Sequence, residues 1–155
     1  MSRKLLFLCT GNYFRSRYAE ILFNQEACQA DLGWLADSRG VAIELGADNI
    51  GPISRHTVRR LAQRGWPLAK PIRFPLQLRE QDLVEASRVI ALKEAEHRPL
   101  LRRKFADWED RIEYWHIDDV DCAPPEQALD RIEEAMNHLL SELRSQWILR
   151  TTGQL

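Results

Sequence analysis

Leu5-Leu6-Phe7-Leu8 is an unbroken apolar run, fenced by Arg3-Lys4 before it and Gly11-Asn12 after it. A strand with one wet face alternates polar and apolar residues. A strand without alternation buries both faces, as an inner strand of a parallel sheet does. From Ser16 the period changes. Ala19, Leu22 and Phe23, then Ala27 or Cys28, recur at three- and four-residue spacings to about Ala30, which predicts an amphipathic helix. Buried strand, short polar turn and helix form the first half of a strand–helix–strand unit, with the turn at the sheet edge where such folds bind ligands.

The rest of the chain keeps this alternation. A second strand is expected at Trp34–Asp37, after which Ser38-Arg39-Gly40 opens an irregular stretch through Gly46 and Gly51-Pro52. Ser54 is placed to cap a helix running to Gln63, stopped by Gly65 and Pro67. Gln81–Ala86 reads as a short helix and Arg88–Leu92 as a central strand. Glu94–Phe105 reads as a helix with Pro99 in its first turns or at a local break. Ile112–Ile117 alternates and is rich in aromatic and branched residues, a fourth strand. The loop Asp118–Pro125 then leads into a long helix, Glu126–Trp147, with Leu129, Ile132, Met136, Leu139, Leu140 and Leu143 on its apolar face. The expected fold class is α/β: a three-layer, doubly wound domain with a four-stranded parallel sheet flanked by helices. At 155 residues, with no repeat or linker, residues 1–155 are expected to form a single domain.

Hydrophobic residues make up 45% and charged residues 29%, the composition of a folded chain. A net charge of −1 gives no reason to expect nucleic acid or an anionic membrane as a partner. The basic stretches Arg55–Arg73 and Arg98–Lys104 read as solvated helix faces, against an acidic Asp107–Asp121. The first apolar run is too short for a signal sequence or a membrane span. Three cysteines, an odd number, argue against a complete disulfide framework, so a reducing, cytoplasmic setting is expected, with free thiols and a monomer or weak dimer.

One of those thiols, Cys9, ends the first strand and opens Cys9-Thr10-Gly11-Asn12-Tyr13-Phe14-Arg15-Ser16. Backbone N–H groups of a loop feeding a helix converge on an anion, and the helix dipole adds positive potential there, so this segment reads as a phosphate loop. Gly11 lets the backbone approach closely or take positive φ, and Asn12 is the next most tolerant residue. Arg15 offers a planar two-pronged donor to two oxygens of a tetrahedral oxyanion. The same field favours the Cys9 thiolate, which faces phosphorus for in-line attack, while the Ser16 hydroxyl can donate to the sulfur. Of the three cysteines only Cys9 has an arginine six residues on; Trp34 and Ala128 stand at that offset from Cys28 and Cys122. Ester cleavage also needs a proton donor on a loop at the same edge, and Asp118, Asp119 and Asp121 are the candidates. His116 is a lesser candidate, and His56, His97 and His138 are given no chemistry.

Leu5–Glu20, with its Cys-x5-Arg-Ser, resembles the opening of the low-molecular-weight protein tyrosine phosphatases. Ser38-Arg39-Gly40 falls where that family carries Ser-Ala-Gly. The resemblance implies a phosphoric monoester hydrolase with a phosphocysteine intermediate and neither metal nor cofactor. Its substrate is a phosphorylated protein or a small phosphomonoester. Residues Thr10, Gly11, Asn12, Tyr13, Phe14, Arg15 and Ser16 then bind the substrate, and Cys9, Arg15 and Asp119 are catalytic. Aligning Trp115–Val120 with the family's Asp-Pro places Asp119 at the acid, Val120 replacing proline; Asp121 and Asp118 are the alternatives. Phe14 stands where many members carry a second cysteine, Arg17 replaces a proline, and Tyr13 is bulkier than usual. Asp121 and Cys122 stand where tyrosines often wall the cleft, so Tyr13 or Trp34 must supply any aromatic wall. Arsenate reduction on the same fold and a non-catalytic oxyanion-binding module are the alternatives. Cys122, on the acid loop, suggests a reversible disulfide with Cys9.

Overall fold

The computed structural model describes residues 3–153. Strand β1 (Arg3–Cys9) leads into helix α1 (Arg15–Ala30), strand β2 (Trp34–Gly40) and helices α2 (Arg55–Gln63) and α3 (Glu80–Glu85). Strand β3 (Arg88–Ala91), helix α4 (Glu94–Lys104), strand β4 (Glu113–Tyr114) and helix α5 (Pro125–Thr151) complete the order. The sheet is four-stranded and parallel throughout, in the order β2-β1-β3-β4. The expected doubly wound α/β architecture is therefore present.

The unbroken apolar run of β1 is explained by its two neighbours of opposite faces. Leu5, Phe7 and Cys9 point into a cluster with Phe23 of α1, Leu61 of α2 and Leu129, Ile132, Met136 and Leu140 of α5. Leu6 and Leu8 point the other way, onto Val41, Leu78, Leu83 of α3 and Leu100 and Leu101 of α4. Alternate residues of one strand thus feed two separate cores. On the first side α2 is tied to α5 by Arg60, which pairs with Glu126, Asp130 and Glu133.

Three expectations are adjusted. Strand β2 continues through Ser38-Arg39-Gly40 instead of opening into a loop there, because Phe7, Leu8 and Cys9 of β1 pair with those three residues in register. Strand β4 spans only two residues, although Trp115 N–H to Ala91 and Ile117 N–H to Leu92 carry the pairing on outside the regular ladder. Of the two places expected for Pro99, the first turns hold and the break does not: it lies inside an unbroken α4. Helix α2 begins as expected, with Ser54 Oγ accepting the His56 N–H at 3.2 Å.

Phe23 is fully buried and Leu35 is 59% exposed. Phe23→Ala is expected to lower unfolding free energy by about 3–5 kcal/mol, and Leu35→Ala by less than about 0.5 kcal/mol. Urea denaturation of the two variants checks the placement of the core.

Candidate active site

The strand β1 hydrogen bonds end at Cys9, and the chain turns through Thr10–Phe14 into α1. Four carbonyls here are engaged from outside: Val41 N–H donates to Cys9 O, Ala42 N–H to Thr10 O, Ser54 N–H to Tyr13 O, and the Thr57 hydroxyl to Phe14 O. With the carbonyls held there, the N–H groups of Gly11–Phe14 find no acceptor among the described residues. Phe14, at the start of α1, gives that helix no side-chain cap. A ring of unused donors at a helix N-terminus is the setting for a bound anion.

Asn12 fixes the shape of the loop. It takes the left-handed conformation, φ 52°, and is fully buried. Gly11 does not, so the positive φ expected at one of the two falls on the asparagine alone. Asn12 Oδ1 accepts from the Leu76 N–H (3.1 Å) and from Arg73 Nη1 (3.0 Å), which leaves Nδ2 to donate to Ser16 Oγ and Ser38 Oγ, each at 2.9 Å. Ser16 Oγ, already accepting from Asn12, is free to send its own proton to Cys9 Sγ, 2.9 Å away. Ser38 likewise donates onward to Glu20 Oε1 at 2.6 Å. Gly40 makes the close packing possible: a Cβ there would lie 2.6 Å from Ile43, 2.8 Å from Thr10 O and 3.1 Å from Asn12 N.

Arg15 is buried on the floor of the cleft. Its Nη1 donates to Ile117 O at 2.9 Å and its Nη2 to Glu96 Oε2 at 2.6 Å, with Asp119 Oδ2 3.4 Å away. Burial opposes the charge, but Cys9, Glu96 and Asp119 outweigh it and hold the guanidinium more firmly protonated than usual. Glu96 was not legible as a site residue. It lies in the first turn of α4, accepts the Thr10 hydroxyl at 2.5 Å, and has His97 Nε2 3.0 Å away without full hydrogen-bond alignment. Burial of Glu96 is overcome by His97, Arg15 and Thr10, so its carboxyl is held far below the usual range. His97 Nδ1 accepts the Lys93 N–H at 2.9 Å, and burial pushes the ring toward its neutral form.

The cleft above Cys9 has a volume of 610 Å³. Gly11, Tyr13, Phe14 and Arg15 from the loop line it, together with Asp119 and Val120 from the loop after β4. Thr10, Asn12 and Ser16 do not; they buttress the loop from behind. Tyr13 forms one wall, its hydroxyl donating to Ile50 O at 2.6 Å, and Phe14 packs edge-on against His56. Trp34 pairs with Arg3 at the opposite end of the sheet from Cys9, so it is no part of the wall. Of the three aspartates, Asp118 is held by Lys93 Nζ at 2.8 Å, Asp121 is exposed, and only Asp119 lines the cleft. Arg17 is buried, and its Nη1 and Nη2 donate to Pro52 O and Arg73 O, both at 2.9 Å. Cys28 and Cys122 are exposed, free and outside the cleft lining. Cys122 Sγ lies 3.8 Å from Lys93 Nζ, and a hydrogen bond to Asp121 raises its thiol pKa. Among the described residues there is no cluster of His, Cys, Asp and Glu placed to hold a metal ion, and no helix long and apolar enough to cross a membrane.

Known proteins carry the same frame. The family model for low molecular weight phosphotyrosine protein phosphatase matches residues 4–148. A low molecular weight protein tyrosine phosphatase from T. tengcongensis superposes with a TM-score of 0.75 at 25% identity, covering 91% of this chain and 99% of that one. YfkJ from Bacillus subtilis superposes with a TM-score of 0.74 at 25% identity, over 94% and 97% of the two chains. The YwlE arginine phosphatase from Geobacillus stearothermophilus, at 23% identity and a TM-score of 0.74 over 94% and 96%, shares the fold. No curated protein sequence matches the chain. Matched over nearly all its length, on this fold and with Cys9 buried at the end of β1, the chain belongs to the low molecular weight phosphotyrosine protein phosphatase family and is a cysteine-dependent phosphatase.

Proposed function

We propose that the protein hydrolyses phosphotyrosine in proteins by passing the phosphoryl group through Cys9. The observation that carries this reading is the Ser16 hydroxyl, its proton steered by Asn12 toward Cys9 Sγ 2.9 Å away, beneath a loop whose N–H groups are unused. The thiolate attacks phosphorus in line while Arg15 and the loop N–H groups take up the charge on the equatorial oxygens. Asp119 gives its proton to the leaving oxygen as the ester bond breaks. The same carboxylate then takes a proton from the water that cleaves the sulfur–phosphorus bond, releasing inorganic phosphate and restoring the thiolate.

Asp119 is favoured because it shares the cleft with Cys9 and Arg15, whereas Asp118 is bound to Lys93. A phenyl ring is accommodated by the lip of Tyr13, Ile50, Ile53 and Val120. Phosphoarginine is the second substrate to assay: Asp48 also lines the cleft, and a carboxylate there complements a guanidinium. Arsenate reduction is disfavoured because neither remaining cysteine lines the cleft to resolve an oxidised Cys9.

Release of p-nitrophenol from its phosphate ester tests the assignment. Cys9→Ser is expected to abolish it. Asp119→Asn is expected to lower kcat by about 10²–10⁴-fold with little change in inhibition by phosphate. Loss on Asp121→Asn instead would move the proton donor.

Glu96 acts as a positioning residue through Arg15. A hydrogen bond to a charged group is worth about 1.5–3 kcal/mol, so Glu96→Gln is expected to lower kcat/KM roughly tenfold or more and to weaken phosphate inhibition in parallel. Because the folded state depresses this carboxyl, its stabilisation is complete at neutral pH and is lost as pH falls below the usual range near about 4.3. Urea titrations of the wild type should therefore lose stability in acid more steeply than those of Glu96→Gln.

A further inference from the structure

Three cations beside the cleft have no ion-pair partner among the described residues. Arg60 on α2, and Arg64 just past its end, are committed to Glu126, Asp130, Glu133 and Glu26. Arg55 and Arg59 on the same helix, and Lys70 beyond it, form no ion pair among the described residues, and all three are exposed. The expectation of solvated helix faces therefore divides: half of this basic stretch is spent on α5 and α1, and half is left open.

The open half borders a shallow depression. Arg55, Arg59 and Lys70 rim a groove floored by Val58, Pro71 and Ile72, and Ile53 and Arg55 line both this groove and the cleft above Cys9. The two depressions therefore adjoin at Ile53 and Arg55. The groove's shape is held from below by Arg17, which is 3% exposed and bridges Pro52 O and Arg73 O, joining the segments that form its two sides. Burial, then the nearby Arg73, lowers the Arg17 pKa to about 10, so the clamp stays charged at neutral pH.

We propose that this groove seats an acidic, extended stretch of a phosphorylated protein, immediately beside the residue whose phosphate enters the cleft; the proposal rests on the phosphatase reading above. Unpaired cations on an apolar floor complement alternating acidic and apolar side chains, which an extended chain presents on opposite faces. The three cations Arg55, Arg59 and Lys70 make too small a basic face to track the many phosphates of a nucleic acid or an anionic lipid surface.

The probes are three phosphotyrosine peptides, carrying acidic residues before the phosphotyrosine, after it, or on neither side. One acidic peptide is expected to exceed the neutral one in kcat/KM by about tenfold at low salt, a preference that fades at high salt. Arg59→Glu combined with Lys70→Glu is expected to remove that preference and leave p-nitrophenyl phosphate turnover unchanged. Fluorescence anisotropy of the same peptides on Cys9→Ser, with and without the charge reversals, reads docking without catalysis. Equal handling of acidic and neutral peptides overturns the proposal, as does an equal loss on p-nitrophenyl phosphate in the charge-reversed protein, or retention by anionic vesicles with no peptide discrimination. Absence of p-nitrophenyl phosphate turnover in the wild type would refute the phosphatase reading instead, and anisotropy would then decide the groove alone.

Discussion

The Asn12 carboxamide is the interaction on which the site depends. One buried amide in a left-handed residue holds Leu76 and Arg73 with its oxygen and Ser16 and Ser38 with its nitrogen. Because an amide oxygen only accepts and an amide nitrogen only donates, the outer contacts dictate the inner ones. The direction of the proton beneath Cys9 is therefore set by the backbone of a segment more than sixty residues away in sequence. A site built this way is rigid before substrate arrives, which suits a reaction driven by positioning and electrostatics.

A second layer of control runs through α4. Glu96 gathers Thr10, Arg15 and His97 around one carboxylate, and Ile117 O takes the other prong of Arg15. Strands β1, β3 and β4 end at one edge of the sheet, where the end of β1 supplies the thiol, the first turn of α4 the Glu96 anchor and the loop after β4 Asp119. Parallel order makes that convergence unavoidable.

Much of this was legible from spacing. The double burial of β1, the turn into α1 and the Cys9–Arg15–Ser16 set follow from a short window whose physical logic is local. Three things were not. Glu96 and His97 sit on an ordinary charged helix face, and nothing in Glu94-Ala95-Glu96-His97 separates the residue that turns inward from the one that faces water. The run Ser38-Arg39-Gly40 looked like a loop because serine and glycine are poor strand formers, yet Ser38 is buried for its hydroxyl and Gly40 for lacking a Cβ. Trp34 was a plausible wall only until the register put it at the far end of the sheet. In each case the missing information was which distant backbone would lie alongside.

Arg15 and Arg17 are both buried, two residues apart, beneath a loop of unused N–H donors. The cradle thus aims N–H donors and the Arg15 guanidinium, itself countered by Glu96 and Asp119, at a place where water screens poorly. An oxyanion that binds there binds the folded form alone, so ligand occupancy and thermal resilience are two readings of the same free energy. Phosphate, the product of the reaction, is then also a stabiliser of the enzyme, and the protein is sturdiest where its turnover is most inhibited.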